Sequence, residues 1–315
     1  MGIRATNNFL QVRMHMTSPR SLAICAAAVA LLGCKKDATF EEPIPDYAAI
    51  HWLNAVPDTG QQDIRVVDIV SNAGLFDANF RGANIYYQPI ETGARTVQIF
   101  QSSSVDTIAS KVYTTMTLNT TVGQGYTFIH AGFARTGQTP ARQVLVIPDN
   151  PAPPAAGEVG IRFINAAAGL PNLDFNVVRH ASDTLTLPAS PLRGNVPFGT
   201  AATYSGVKAD SMRVFHPQAG KDSIVFYDTL RVVATAAGTT TPILFSTVLP
   251  FGSPNTINQV VQPIAGAALV GSVITVVAVP RSVAGSTAPQ TPAAFLVPFG
   301  VVLIDRRPPS LNPAP

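Results

Sequence analysis

Two short stretches, 111 positions apart, constrain this chain more than anything else in it. Ile50–Ala55 reads Ile-His-Trp-Leu-Asn-Ala, and Gly160–Ala167 reads Gly-Ile-Arg-Phe-Ile-Asn-Ala-Ala. Both are strand-like, both end in Asn-Ala, and both reach an aspartate nine residues past the asparagine, Asp63 after Asn54 and Asp174 after Asn165. Self-similarity at a fixed spacing marks a repeated structural unit. The chain is therefore expected to hold two copies of one β-rich fold.

Further echoes follow in order. Leu192-Arg193-Gly194-Asn195-Val196 resembles Phe80-Arg81-Gly82-Ala83-Asn84-Ile85, and Val207–Val214 can be laid over Ile90–Val97. Gln138-Thr139-Pro140-Ala141 recurs as Gln290-Thr291-Pro292-Ala293, each ahead of an apolar run that ends near an aspartate, Asp149 or Asp305. The spacing widens from 111 to 156 along the unit, which places extra length in the second copy, assigned to Pro217–Gly271. Short apolar runs between turn clusters read as an all-β sandwich. In the first copy the strands are expected over Ala49–Asn54, Asp63–Val70, Asn84–Gln88, Arg95–Gln101, Lys111–Leu118, Tyr126–Ala131 and Gln143–Ile147. The expected architecture is all-β, with two tandem immunoglobulin-like β-sandwich domains: residues 48–149, a proline-rich linker at 150–158, and residues 159–307 with the insertion 217–271. Residues 308–315, with four prolines, are expected to form a disordered tail.

Composition narrows the chemistry. Charged residues are 12% of the 315, about half the usual share of roughly 25%, and 27 prolines favour turns over long helices. A net charge of +3, without a basic cluster interleaved with aromatics, argues against nucleic acid as a partner. The only cysteines are Cys25 and Cys34, so residues 35–315 can build neither a disulfide framework nor a thiolate metal site.

The N-terminus reads as an address. Leu22–Leu32 is an apolar run of eleven residues, too short to span a bilayer of ~30 Å as a helix, with Arg20 before it and Leu31-Leu32-Gly33-Cys34 closing it. A basic region, a short apolar core and a small residue before the cut mark a secretory signal. The cysteine directly after Gly33 resembles the lipobox of bacterial lipoproteins. That resemblance implies cleavage after Gly33, lipidation of Cys34 and a membrane partner reached through the lipid anchor. Residues 1–33 are then the signal peptide, with Met14 or Met16 as alternative starts, and residues 34–47 are the lipidated cysteine and a tether. Lys35 in place of an aspartate favours the outer membrane, on its periplasmic side or at the cell surface.

The body of the chain resembles the family called domain of unknown function 4397, whose members are envelope proteins often carrying tandem copies. Ile50–Ile64, with Asn54-Ala55-Val56-Pro57-Asp58, and Ile161–Phe175 carry its opening pattern. Pro197-Phe198-Gly199-Thr200 with Tyr204-Ser205-Gly206-Val207 resembles its mid-domain Phe-Gly and tyrosine. The first copy lacks the Phe-Gly element and has Tyr86-Tyr87-Gln88 instead. The resemblance implies a fold and no activity.

No catalytic motif is present. There is no Gly-x-Ser-x-Gly nucleophile turn and no His-Glu-x-x-His zinc motif, and His51, His130, His180 and His216 are far apart in sequence. His51 and Arg162 occupy one repeat position, read as an outward polar site on the strand. His130 is read as a structural histidine, and Trp52, aligned with Phe163, as a core residue. Of Tyr86 and Tyr87, one must point outward, because neighbouring strand residues face opposite ways. Asp63 and Asp174 are read as turn-bonding carboxylates. The expectation is a non-enzymatic envelope lipoprotein, a binding or structural module with no cofactor and no metal. Its partner is expected to be an envelope protein or polysaccharide. The alternative is an envelope hydrolase of glycan or peptide whose acids converge in the fold.

Overall fold

Alternation sends Ile50 and Trp52 to one face of the first strand and His51 and Leu53 to the other, yet all four are fully buried. A strand buried on both faces must lie in an interior sheet, and the architecture supplies the cover. The structure is a computed structural model that describes residues 46–69, 74–179, 186–209, 213–216, 224–227, 230–252, 256–257, 260–261, 263–283 and 293–308. They lie within one compact unit, 45–315. The signal peptide, Cys34, the tether up to residue 45, His180, the side chain of His216, the repeated Gln290-Thr291-Pro292 and residues 309–315 are outside the described parts.

The first sandwich holds β1 (Tyr47–Asn54), β2 (Gln62–Val66), β3 (Gly74–Ala78), β4 (Gln88–Glu91), β5 (Gly93–Gln101), β6 (Val112–Thr120), β7 (Gly125–Ala131) and β8 (Gln143–Asp149). Its sheets run β4-β1-β7-β8 and β3-β2-β5-β6, with β1 and β7 parallel. The second holds β9 (Glu158–Asn165), β10 (Leu173–Val178), β11 (Arg193–Val196), β12 (Ser205–Lys208), a hairpin β13 (Arg213–His216) and β14 (Ile224–Tyr227), then β15 (Arg231–Ala236) and β16 (Ile243–Val248). A short hairpin β17 (Thr256–Ile257) and β18 (Val260–Val261) leads to β19 (Val273–Val279) and β20 (Phe299–Arg306). Its sheets run β12-β9-β19-β20 and β11-β10-β15-β16, with β9 and β19 parallel. In these four-stranded sheets the second copy repeats the first strand for strand, and it adds the two hairpins.

The four sheets stack as four layers, and apolar side chains fill each gap. Ile50, Trp52, Ile64, Val97, Ile99 and Phe128 fill the first sandwich. Phe163, Phe175, Val232, Phe245 and Val276 fill the second, with Phe163 stacked on Phe175 at 4.7 Å. Trp52 is a core residue, its ring 4.9 Å from that of Phe128. The middle gap, between β4-β1-β7-β8 and β12-β9-β19-β20, is filled by Leu53, Ile129, Ile164, Val277, Val301 and Leu303. Fully burying one such side chain contributes about 1.5–3 kcal/mol, so the middle layer is a third core.

Equivalent hydrogen bonds fix the repeat alignment. Asn54 Oδ1 accepts from the Val56 N–H (3.1 Å) and its Nδ2 donates to the Ala78 carbonyl (3.0 Å). Asn165 makes the same pair, with Ala167 and with Val196, both at 3.0 Å. Asp63 accepts from the Asp77 N–H (2.8 Å), and Asp174 from the N–H groups of Asn195 and Gly238 (both 2.7 Å). The two aspartates thus bond mainly across to the neighbouring strand, β3 or β11, where the register shifts, and only Asp174 also bonds a turn, at Gly238. The reading as turn-bonding carboxylates holds for that last contact alone. Asp77 and Asn195 share a left-handed backbone, with φ of 48° and 54°, which short polar side chains tolerate.

That alignment corrects two readings. Asn195 matches Asp77, so Arg193 does not match Arg81. Phe198-Gly199 matches Phe80-Arg81: Gly199 (φ 79°) and Arg81 (φ 69°) are both left-handed, and each donates its N–H to the carbonyl of the asparagine, Asn165 or Asn54, at 2.7 and 2.8 Å. The first copy therefore does hold the Phe-Gly turn, with arginine in glycine's place. Side-chain matching missed it because a turn preserves backbone conformation first.

The runs Leu230–Ala234 and Pro242–Leu249 contribute β15 and β16, the counterparts of β5 and β6, and so complete the second sandwich. The added length is divided among the segments after β12, β16 and β19. In the first copy the strand expected over Asn84–Gln88 starts only at Gln88, and β3 is an additional short strand.

Candidate functional site

The polar residues of the middle layer converge on one buried cluster, and each half of it comes from one sandwich. From the first, the Tyr87 hydroxyl donates to Asp149 Oδ2 (2.8 Å), as does the Thr127 hydroxyl (2.7 Å). From the second, the Tyr204 and Thr275 hydroxyls both donate to Asp305 Oδ2, Tyr204 at 2.8 Å. Tyr, Thr and Asp stand in the same relation on both sides because they are repeat equivalents.

The basic side chains cross over. Arg162, from β9, places Nη1 2.7 Å from Asp149 Oδ1 of the other sandwich and Nη2 3.8 Å from Asp305. Its Nε donates to Thr275 (2.9 Å) and its Nη2 to Thr127 (3.3 Å), and its guanidinium lies 4.7 Å from the centre of the Tyr204 ring. His51, its counterpart on β1, stacks on Tyr87 at 3.9 Å and places Nε2 3.3 Å from Asp305 Oδ1. Each sandwich thus offers its basic side chain at this position to the other's carboxylate. His51 Nδ1 lies 3.1 Å from the Asn84 carbonyl. A carbonyl only accepts, so Nδ1 carries a proton.

Electrostatics match this closed geometry. The side chains of His51, Asp149 and Asp305 are fully buried and that of Arg162 is 3% exposed. Burial pushes the Asp149 carboxyl above the usual carboxylate range, although Arg162 and Thr127 pull the other way. Burial alone would lower the Arg162 pKa, but Asp149 and Asp305 more than reverse this and hold the guanidinium charged. Burial, with Asp305 and Asp149 adding to it, raises both tyrosine hydroxyls, which stay protonated donors.

The position of His51 and Arg162 was read as an outward polar site. Outward of its own sandwich it is, but in each case the other sandwich covers it. The periodicity of one strand reports which face a residue takes, not what lies against that face. Tyr87 turns into the cluster, while Tyr86 is 39% exposed with the Arg307 guanidinium 4.5 Å from its ring centre. His130 is structural: Nδ1 lies 2.6 Å from Gln62 Oε1, and burial, helped by Arg142, depresses its pKa to about 3. Asp58, near Asp63 in sequence, accepts from the N–H groups of Ala134 and Arg135.

Sequence reasoning saw Asp149 and Asp305 as matching strand ends but assigned them no role, it used Tyr204 only for the family resemblance, and it passed over Thr127 and Thr275. The signal was available: polar residues recurring at repeat-equivalent places in otherwise apolar strands. Among the described residues, no group of three or more His, Cys, Asp or Glu side chains is arranged to hold a metal ion. Nor is any described helix long and apolar enough to cross a membrane.

No curated protein matches the chain. Residues 48–176, which span the first sandwich, β9 and most of β10, match the model of the family described as Domain of unknown function (DUF4397).

Proposed function

We propose that this chain is a cell-envelope lipoprotein, anchored to the outer membrane through Cys34, whose paired sandwiches form a non-catalytic binding or structural body for an envelope protein or polysaccharide. The observation that carries the non-catalytic part is the burial of the cluster. Its carboxylates, arginine and histidine hold two sandwiches together and present no face to a substrate. A catalytic carboxylate must reach the reacting bond, and here Arg162 occupies the space at Asp149.

The anchoring part rests on the Leu31-Leu32-Gly33-Cys34 sequence. Replacing Cys34 by Ala and fractionating cells tests it. Wild type is expected in the detergent-dependent membrane fraction and C34A in the soluble envelope fraction. An unchanged distribution would sink the reading.

One observation favours a hydrolase instead: Asp149 and Asp305 do converge. Paired-carboxylate hydrolysis, however, needs the sugar between the two acids. Asp149→Asn and Asp305→Asn separate the readings. A structural cluster loses stability, whereas an active site loses turnover of a glycan or peptide with the melting temperature little changed.

A further inference from the structure

Away from the cluster, a long apolar trough opens at the edge of the second sandwich. Its floor is the outer edge of β20, one wall is the end of β16, and the other is the segment Ala83–Tyr86 reaching over from the first sandwich. It comprises two adjoining hollows of about 550 and 470 Å³ that share Ile85, Val248 and Val302. Those volumes lie in the range of small-molecule sites, roughly 300–1,000 Å³. Ile85 is 54% exposed and Val248 42% exposed, although both stand in an apolar wall. From Phe299 to Ile304 the floor runs about 17 Å at the usual strand rise.

We propose that this trough binds the hydrocarbon chain of a single-chain anionic amphiphile, its head group held by Arg306 and Arg307. Three observations lead there. The first is that β20 is a poor template for an added peptide strand. Gly300 already donates its outward N–H to the Thr247 hydroxyl (3.0 Å), and Ile304 donates to the Ile85 carbonyl (2.8 Å). A peptide would bring an amide every ~3.4 Å and find those partners taken, at a cost for each buried amide left unpaired. A hydrocarbon chain brings none.

The second is charge. No carboxylate lines either hollow among the described residues; Arg81 lines one of them, and past Ile304 at the end of the other come the exposed Arg306 and Arg307, the latter lying over Tyr86. An apolar channel with cations at its mouth complements an anionic head and an apolar tail.

The third is the comparison within the chain. Between the matching edges of the first sandwich, β6 and β8, Arg142 lies 4.6 Å from the Tyr113 ring centre and donates to the Tyr113 carbonyl (3.0 Å). In the second sandwich the walls come from Phe251, Ile264 and Phe295, on segments the first copy has in shorter form. Length added to a working scaffold is a common place for binding.

Isothermal titration of the purified soluble chain (C34A, residues 34–315) with sodium laurate tests this, with dodecyl maltoside as the neutral-headed probe. Both are kept below their micellar concentrations. Laurate is expected to bind more tightly than the maltoside. Val248→Asp should weaken laurate at least tenfold, and the double variant Arg306→Gln/Arg307→Gln at least fivefold while erasing the preference for the charged head. A photoreactive laurate should label the peptide containing residues 299–307, a readout that remains should V248D fail to fold. Absence of laurate binding, equal affinity for the neutral probe, unchanged binding in V248D, or labelling elsewhere would overturn the proposal. So would a dimer in sedimentation that V248D disperses, because a second copy would then cover the trough.

Discussion

Where the two sandwiches face each other they are close to copies, and at their outer edges they differ. Across the shared face, Tyr87 answers Tyr204, Thr127 answers Thr275, and Asp149 answers Asp305, each with the same hydrogen bond. At the edges the second sandwich adds hairpins and opens a trough, while the first closes the same place with Arg142 and Tyr113. The difference shows where a duplicated fold is held to one solution. A residue with a reciprocal partner cannot change alone without leaving a buried polar group unmatched, at a cost of about 1–3 kcal/mol, more for a charge. An edge loop has no such partner.

The shared face breaks its symmetry at one pair, His51 and Arg162. The guanidinium alone reaches both carboxylates, at 2.7 and 3.8 Å. A second arginine at position 51 would bring a like charge to the same spot, and the smaller imidazole suits the remaining contact with Asp305. Comparable asymmetry marks Arg81 and Gly199. Arg81 uses its side chain to donate to the carbonyls of Pro280 and Val297 in the second sandwich and lies among the rings of Phe80, Phe295 and Phe299.

Removing Arg162 should have the largest effect on this comparison. Arg162→Ala leaves two buried carboxylates without their shared guanidinium, and breaking a buried pair this way costs about 3–5 kcal/mol. Urea unfolding should show that loss. It should also show whether the sandwiches come apart: after proteolytic nicking of the exposed linker at 150–157, wild-type halves should co-elute on gel filtration and R162A halves should separate. Halves that separate equally in both would mean the apolar middle layer and the cluster contribute nothing to holding them.

A smaller effect distinguishes the two cores by pH. His130 lies in the first sandwich, and the same place on β19 is Ala278. With its folded pKa near 3, below the unfolded value of about 6.5, the unfolded chain takes up the proton first as pH falls. The contribution is whole above about 6.5 and is lost progressively towards 3. Stability measured from pH 7 to pH 4 should fall less steeply in His130→Gln, and parallel slopes would contradict this assignment.

Arg81→Gly should give the smallest change. It relieves a left-handed arginine, worth roughly 1–2 kcal/mol, and removes carbonyl bonds and ring contacts of similar size. The melting temperature is expected to move little, with a net change within about 1 kcal/mol. A large loss would show that the arginine clamp outweighs its backbone strain, and a large gain the reverse.

Much of this was legible in the chain. The Asn-Ala strand ends, with Asp63 and Asp174 nine residues on, announced two copies, because local structure recurs wherever the local sequence does. That the two aspartates bond a neighbouring strand at a register shift was not legible, since those partners are 14 and 21 positions away. Trp52 and Phe163 announced core positions through alternation. Alternation could not say that His51 and Arg162 are buried, since it reports a face and not a neighbour. The likeness of Arg81 to Gly199 was hidden because the shared property is a backbone angle. The duplicated all-β plan follows from local pattern, since strand period, turn residues and repeat spacing act over short distances along the chain. That Asp149, Arg162, Asp305 and His51 meet depends on how the two copies pack against each other, with Asp305 reaching partners more than 100 positions away, and no local pattern encodes that.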